Sequence, residues 1–295
     1  MTIAACYLSS EGVVLGADST STMFVQGPGP NAGGNDHHYN FAQKIFQIGE
    51  SSTLAMTMWG LGSLGETSYR TLIAQFADDL SGHPASALSE VADRWSTLYW
   101  GAYTSQYGPA IQRVQDLHGQ ATRTPEEDVE LILLQQNLSG GFCIGGYCLP
   151  SRRPEAYEIV FEPSQSGPQP PQSLRIGNAK FWGCPNIMNR LLFGVDLGLL
   201  FDISKSPHWT GSPTDLLNLA APYRLAQPFD LPIREAIDWV HTSIYTTSQA
   251  MKFSHLAPVC GGPVEVAVIT TDRPFRWVRH KKLDAGIAHG GLTHV

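Results

Sequence analysis

The first nineteen residues of this 295-residue chain constrain its fold more than any other stretch. Two short segments of β-branched and aliphatic residues, near 3–9 and 13–18, flank a Ser-Glu-Gly turn at positions 10–12. Short apolar segments joined by a Gly-containing turn are typical of a β-hairpin. Because both segments are apolar at nearly every position, we expect both faces of the hairpin to be covered by other parts of the fold.

Thr2 directly precedes this hairpin and follows the initiator methionine. Once Met1 is removed, the threonine carries a hydroxyl nucleophile and an α-amine base on one residue, a pairing suited to amide hydrolysis. The amine has a reference pKa of about 7.7–8.0, so it can accept the hydroxyl proton near neutral pH, directly or through one water. The start of the chain therefore predicts an N-terminal-nucleophile hydrolase.

Five further motifs follow Thr2 along the chain. They are Gly16-Ala17-Asp18-Ser19, Lys44-Ile45-Phe46, Met58-Trp59-Gly60-Leu61-Gly62, Gly140-Gly141-Phe142-Cys143-Ile144-Gly145-Gly146-Tyr147, and Cys260-Gly261-Gly262 before an apolar segment at 264–269. In this order they resemble the motifs of proteasome β-subunits and of the bacterial peptidase subunits of two-component ATP-dependent proteases. The resemblance spans most of the chain, which unrelated motif matches would not do.

Periodicity predicts groups of strands and helices along the rest of the chain. Strands are expected near 43–48, 53–58, 139–148, 155–162, 264–270 and 275–280, helices near 64–76, 88–98, 185–200 and 232–251, and a mobile loop over 27–40. The resemblance implies an α+β fold, the four-layer αββα sandwich of N-terminal-nucleophile hydrolases, as one domain over 1–295. The segments near 104–137 and 204–231 exceed a minimal family member and are interpreted as insertions.

The resemblance also implies catalytic roles for three residues besides Thr2. Lys44 would stabilise negative charge on the nucleophile and lower the pKa of the amine by like-charge repulsion. Asp18 would hold Lys44 in place and balance its charge. The backbone N–H of Gly60 would donate to the oxyanion of the tetrahedral intermediate. Ser19, next to Asp18, is a secondary candidate.

The sequence departs from the family pattern at two cysteines and one alanine. The family carries an Asp three residues before the Ser of its Ser-Gly-Gly motif, and the matching positions here are Ala257 and Cys260. A family Ser that contacts the terminal amine corresponds to Cys184, so Cys184 and Cys260 are secondary site candidates. Losing these hydroxyl and carboxylate groups would weaken, retune or abolish activity. Candidates to replace them are Tyr245, Ser248 and His255.

Charge and hydropathy limit the partners that we expect. The formal net charge is -7 and there is no Lys/Arg-rich stripe, which argues against a nucleic-acid partner. The chain contains no apolar run of transmembrane length and begins without a signal-peptide pattern, so we expect no membrane partner and a cytoplasmic location.

Neither a cofactor nor a metal is expected from the motifs. Five cysteines without a CxxC pair indicate no disulfide framework or zinc site, and His37-His38 has no third ligand at metal spacing. Residues 60–65 match the dinucleotide pattern G-x-G-x-x-G, but a helix follows where a strand ending in an acidic residue is required. We therefore interpret this match as incidental.

The charged fraction is 15%, below the usual value of about a quarter. A surface poor in charge is expected where neighbouring subunits cover it, and the resemblance implies a homo-oligomeric ring that can take an ATPase partner. The leading hypothesis is a threonine peptidase for peptides or unfolded proteins. The alternatives are a non-catalytic subunit of the same fold and a small-molecule amidase.

Overall fold

In a computed structural model of the chain, residues 2–26, 34–225, 229–254 and 259–281 are described. The strands are β1 (Ile3–Ser9), β2 (Gly12–Ala17), β3 (Ser21–Gln26), β4 (Gly34–Tyr39), β5 (Ile45–Gln47), β6 (Leu54–Gly60), β7 (Gly140–Gly146), β8 (Glu155–Phe161), β9 (Gln172–Ser173), β10 (Asn178–Gly183), β11 (Glu265–Thr270) and β12 (Arg273–Arg279). The helices are α1 (Tyr69–Gly82), α2 (Leu88–Gly119), α3 (Pro125–Leu138), α4 (Asn186–Phe193), α5 (Leu197–Lys205), α6 (Pro213–Ala220) and α7 (Ile233–Lys252). This mixture of helices and antiparallel strands agrees with the predicted α+β class.

Two five-stranded antiparallel sheets form the centre of the molecule. The first has the strand order β10-β1-β2-β11-β12, the second has the order β5-β6-β7-β8-β9, and β3 pairs with β4 alone. The predicted N-terminal hairpin is confirmed: β1 pairs with β2 from Ala4 opposite Ala17 to Ser9 opposite Gly12. Every residue of both strands is buried, as their continuous apolar pattern predicted.

Three apolar clusters pack against the faces of the two sheets, and two of them bury β1 and β2. Side chains from both sheets, including Leu15 and Cys143, pack together in one cluster, and the rings of Trp59 and Trp182 stack at 4.5 Å within it. A second cluster joins the opposite face of the first sheet to α4 and α7. The third joins the opposite face of the second sheet to α1 and α2 through aromatic rings such as Trp95. Burying one such large side chain contributes roughly 1.5–3 kcal/mol, so the three clusters fix the elements around both sheets.

Several sequence expectations are wrong in detail. Residues 34–39 of the predicted loop form β4, because hydrogen bonding to β3 overrides their low strand propensity, while 27–33 lie outside the described residues. The predicted helix over 185–200 is two helices, since Gly194 adopts a left-handed conformation that ends α4. The predictions also omitted β10, which pairs along the edge of β1.

Both proposed insertion segments contain helices. Residues 104–137 cover the second half of α2 and nearly all of α3, which meet through Val114, Leu117 and Leu131. Residues 204–231 include α6 and a short 3-10 helix at Ala221–Tyr223. Across the described ranges, no helix combines the length and apolar character that crossing a membrane requires.

Candidate active site

Thr2 is buried immediately before β1. Its carbonyl oxygen accepts a hydrogen bond of 2.7 Å from the backbone N–H of Cys184, at the end of β10. Gly183 makes this approach possible, because a Cβ atom there would lie only 1.8 Å from the Thr2 oxygen, and its φ of +83° favours glycine. The edge strand β10 therefore holds the backbone of Thr2 in place.

Asp18 follows β2, and its carboxylate is completely buried. Its Oδ1 accepts hydrogen bonds from the Ile3 N–H at 3.1 Å and from Lys44 Nζ at 2.6 Å. Its Oδ2 accepts from the backbone N–H groups of Thr20 at 3.2 Å and Gly261 at 2.8 Å. These four donors replace the hydration that burial removes, and they tie three separate segments to one side chain.

Lys44 precedes β5, and its carbonyl accepts a hydrogen bond of 3.0 Å from the Met58 N–H on β6. Its side chain is almost fully buried against Asp18. Burial lowers the pKa of Lys44 because desolvation penalises the ammonium, and the Asp18 carboxylate opposes this shift. Lys44 can therefore release its proton at a lower pH than a surface lysine, while Asp18 supports its charged form.

A small cleft brings Thr2, Lys44 and Gly60 together, with a volume of about 80 Å³. The other lining residues are Thr20, Ser21, Thr22, Ala42, Gln43, Met58 and Gly62. Hydroxyl and amide groups are frequent in this lining, so a polar substrate group would find hydrogen-bonding partners there.

Gly60 occupies the end of β6, at the edge of this cleft. Its φ is +79°, and a Cβ atom would lie 2.3 Å from the carbonyl oxygen of Ser139. The neighbouring Leu61 N–H donates to that same oxygen at 2.9 Å. Only glycine fits this backbone path, and Gly60 lines the same cleft as Thr2.

The secondary candidates surround this group. Ser19 is buried, and its hydroxyl donates to the Pro263 carbonyl at 2.7 Å, while its N–H donates to the Gly261 carbonyl at 3.0 Å. Ser19 therefore anchors the segment before β11. Cys184 and Cys260 form a side-chain hydrogen bond with each other. The donated bond from Cys260 lowers the pKa of Cys184, whereas donation and burial raise the pKa of Cys260.

Of the residues suggested as replacements for the missing family groups, the two that the structure describes, Tyr245 and Ser248, do not line the cleft. Tyr245 is half exposed and stacks on His241, and Ser248 is buried within α7. Ala257 and His255 lie outside the described residues. The His37-His38 pair is exposed on β4, where His38 Nδ1 lies 3.0 Å from Thr22 Oγ1.

Sequence reasoning missed two contributions to the site. The N–H of Gly261 binds Asp18 although the two residues are 243 positions apart, and Thr20 adds both a backbone donor and part of the cleft lining. The run Ser19-Thr20-Ser21-Thr22 directly after Asp18 was the available signal for the hydroxyl-rich lining. The Gly261 contact had no local signal, because pairing of β2 with β11 creates it.

The cleft thus combines a threonine, a buried amine held by a carboxylate, and a glycine at its edge. No protein-family model matches the sequence, and a search of curated proteins returns no match. Among solved structures, the chain is similar to a mutant of Anbu from Hyphomicrobium sp. strain MC1, with 11% sequence identity and a TM-score of 0.48. The similarity covers 99% of this chain and 92% of that chain.

Proposed function

We propose that the chain is a proteasome-like threonine peptidase of the N-terminal-nucleophile class, acting on peptides or unfolded proteins. The observation that carries the proposal is the buried Asp18–Lys44 ion pair of 2.6 Å, whose lysine lines a small cleft together with Thr2. The packing of two sheets against each other, with helices on their other faces, supports the four-layer αββα sandwich of that class.

The reaction that we propose begins after removal of Met1. The α-amine of Thr2 accepts the proton of Thr2 Oγ, which attacks the carbonyl carbon of the scissile amide. The N–H of Gly60 donates to the oxyanion, and Lys44 lowers the energy of the developing negative charge. The α-ammonium of Thr2 then gives this proton to the leaving amine. Water hydrolyses the resulting ester and regenerates Thr2, with the α-amine again acting as base.

Processing and turnover test this proposal directly. Intact mass should show a chain that begins at Thr2, and the protein should cleave short fluorogenic peptides. Thr2→Ala should abolish cleavage, whereas Thr57→Val should retain it, because Thr57 is a buried threonine of β6 that does not line the cleft. Retention of Met1 on most molecules would count heavily against the proposed base.

A small-molecule amidase is the second candidate function, and the size of the cleft favours it. About 80 Å³ is well below the roughly 300–1,000 Å³ of pockets that enclose drug-sized ligands. A peptide must therefore lie across the cleft opening, whereas a small amide can enter it. Turnover of one small amide in preference to all peptides would support the amidase.

The non-catalytic alternative also has a clear signature. Cys184 and Cys260 stand where the family carries hydroxyl groups, which weakens the expected support for the amine base. A protein with a confirmed N-terminal Thr2 that turns over no peptide and no small amide, and does not react with an electrophile directed at N-terminal threonine, would be a structural subunit.

We further propose a cytoplasmic homo-oligomeric ring that can bind an ATPase partner. Exposed apolar side chains on α5 and α6 support an interface between subunits: Leu199 and Phe201 are each 54% exposed, and Leu219 is 68% exposed. Light scattering at micromolar concentration should give a mass of several chains. A monomer mass would contradict the ring.

A further inference from the structure

Two pairs of cysteine thiols are in hydrogen-bonding contact within the part of the chain that the structure describes. Cys184 pairs with Cys260, and Cys6 pairs with Cys143. Members of each pair are far apart in sequence, so the tertiary fold creates both contacts. Two adjacent thiols can form a disulfide without large backbone movement, provided that an oxidant reaches one of them.

The Cys184–Cys260 pair lies against the candidate active site. The N–H of Cys184 holds the Thr2 carbonyl at 2.7 Å, and both thiols interact electrostatically with Lys44. Gly261, which follows Cys260, donates to Asp18 at 2.8 Å and accepts from the Ser19 N–H at 3.0 Å. The two cysteines therefore belong to the two segments that hold Thr2 and Asp18.

The Cys6–Cys143 pair differs from the Cys184–Cys260 pair in exposure and in the direction of its pKa shift. Cys6 and Cys143 lie in the core between the sheets and are 0% exposed, whereas Cys184 retains 9% exposure. Burial raises the pKa of Cys143, which disfavours its thiolate. At Cys184 the hydrogen bond with Cys260 lowers the pKa, although burial and the charge of Asp18 oppose this shift. Because the thiolate is the reactive form, we expect an oxidant to react with Cys184 faster than with Cys143.

We infer that Cys184 and Cys260 are an oxidant-sensitive dithiol that hydrogen peroxide converts to a disulfide beside Thr2. The Cys184 thiolate attacks one oxygen of peroxide, giving a sulfenic acid and releasing hydroxide, which takes up the proton that Cys184 lost and becomes water. The Cys260 sulfur then attacks the sulfenic sulfur, and its proton leaves with the hydroxyl as a second water. Two thiols are oxidised and one peroxide is reduced.

The disulfide would alter the site by moving the two segments toward each other. An S–S bond of about 2.05 Å is shorter than a thiol–thiol contact, so we expect the Cys184 and Cys260 side chains to draw the segments that carry them closer together. The backbone hydrogen bonds from these segments to Thr2 and Asp18 would then change. This consequence rests on the proposed function, and we expect oxidation to inhibit hydrolysis reversibly.

Differential alkylation of the wild-type protein tests disulfide formation without any assumption about activity. After treatment with hydrogen peroxide, iodoacetamide should label Cys6 and Cys143 in the unfolded protein but not Cys184 or Cys260. Trypsin releases Cys184 in peptide 181–190 and Cys260 in a separate peptide that begins at Phe253. Mass spectrometry should find these two peptides cross-linked and lacking two hydrogen atoms, and dithiothreitol should separate them.

Matched variants assign the chemistry to this pair. Cys184→Ser and Cys260→Ser should each abolish the cross-link, whereas Cys143→Ser should leave it unchanged. In the wild type, oxidation of Cys184 should be at least about tenfold faster than oxidation of Cys143. Absence of the cross-link in folded wild-type protein, or an equally fast Cys6–Cys143 cross-link, would overturn the inference.

The activity measurement separates this inference from the proposed function. If peptide hydrolysis exists, peroxide should inhibit it, dithiothreitol should restore it, and Cys143→Ser should respond as the wild type does. Full activity in protein that carries the cross-link would overturn the inhibitory consequence. A cross-linked protein that never hydrolyses peptides, before or after reduction, would contradict the peptidase proposal while the dithiol assignment stands.

Discussion

Two buried lysine–carboxylate pairs lie close together, near β2 and β11, but have different surroundings. Lys44 Nζ is 2.6 Å from Asp18, and Lys281 Nζ is 2.8 Å from Glu265. Glu265 is paired across the strands with Ala17, the residue before Asp18. Burial, charge and bond length are therefore nearly matched between the two pairs.

The two pairs differ in whether the lysine side chain reaches the cleft. Lys44 lines the cleft with Thr2, whereas Lys281 does not line it and donates to the Ala42 carbonyl at 2.8 Å. His280 Nδ1 lies 2.6 Å from the other Glu265 oxygen without hydrogen-bond geometry. A buried ion pair alone is weak evidence of function, because such pairs also serve structure. Access to the cleft therefore distinguishes the proposed catalytic lysine, Lys44, from the structural lysine, Lys281.

The same substitution at Lys44 and at Lys281 should give the largest difference in the rate of peptide hydrolysis. Lys44→Met should lower peptide hydrolysis by roughly a thousandfold or more, and adding Thr2→Ala should lower it little further, since the two residues act as one unit. Lys281→Met should lower turnover per folded molecule by less than about tenfold, because its ammonium contacts Glu265 and the Ala42 carbonyl and does not line the cleft with Thr2. Single-turnover kinetics on folded protein measures both. Equal losses would mean that the two pairs have the same role.

Removing one member of either pair should destabilise the fold to a similar extent. Asp18→Ala leaves Lys44 buried without its carboxylate, and Lys281→Ala leaves Glu265 without its ammonium. Each change should cost about 3–5 kcal/mol of unfolding free energy, as expected for a broken buried pair. Urea denaturation measures these losses, and an exposed pair such as Arg234–Asp238 serves as the control. A loss below about 1 kcal/mol for either change would show that its pair is effectively solvated.

Gly183 tests whether the position of Thr2 is needed in addition to the ion pair. In Gly183→Ala, the new Cβ would meet the Thr2 oxygen at 1.8 Å in a backbone conformation with φ of +83°. We expect a stability loss of about 1–3 kcal/mol from backbone strain, and lower hydrolysis with an intact Asp18–Lys44 pair. Gly82→Ala is the matched control, because nothing lies within 4 Å of its added Cβ. Unchanged hydrolysis in Gly183→Ala would show that β10 does not position Thr2.

The pH profile should show the smallest effect. Burial lowers the pKa of Lys44, so hydrolysis that requires its ammonium should decline with rising pH before an ordinary lysine would deprotonate. Lys44→Arg keeps its charge at high pH, so its alkaline limb should move upward by about one pH unit or more. Lys281→Arg should leave the limb in place. An identical alkaline limb in Lys44→Arg would assign that limb to another group.

Local patterns in the sequence predicted the elements that local interactions stabilise. The β1–β2 hairpin follows from two apolar segments around a Gly-containing turn. The motifs of the resemblance pointed to Thr2, Asp18 and Lys44. In the structure Thr2 and Lys44 line one cleft and Asp18 is bonded to Lys44, although their catalytic roles stay predictions. Gly194 was an available signal for the end of α4, because glycine readily ends a helix. The prediction of one helix over 185–200 followed apolar periodicity and so merged α4 with α5.

By itself, therefore, the sequence determined the hairpin, the α+β class and the titratable residues, Asp18 and Lys44, that flank its strands. Tertiary structure alone decided that β10 holds Thr2, that Gly261 binds Asp18, and that Cys184 meets Cys260. The physical reason is that these contacts depend on strand pairing between distant segments. Periodicity and turn chemistry act over a few residues, whereas sheet order and register are set by burial of the whole core.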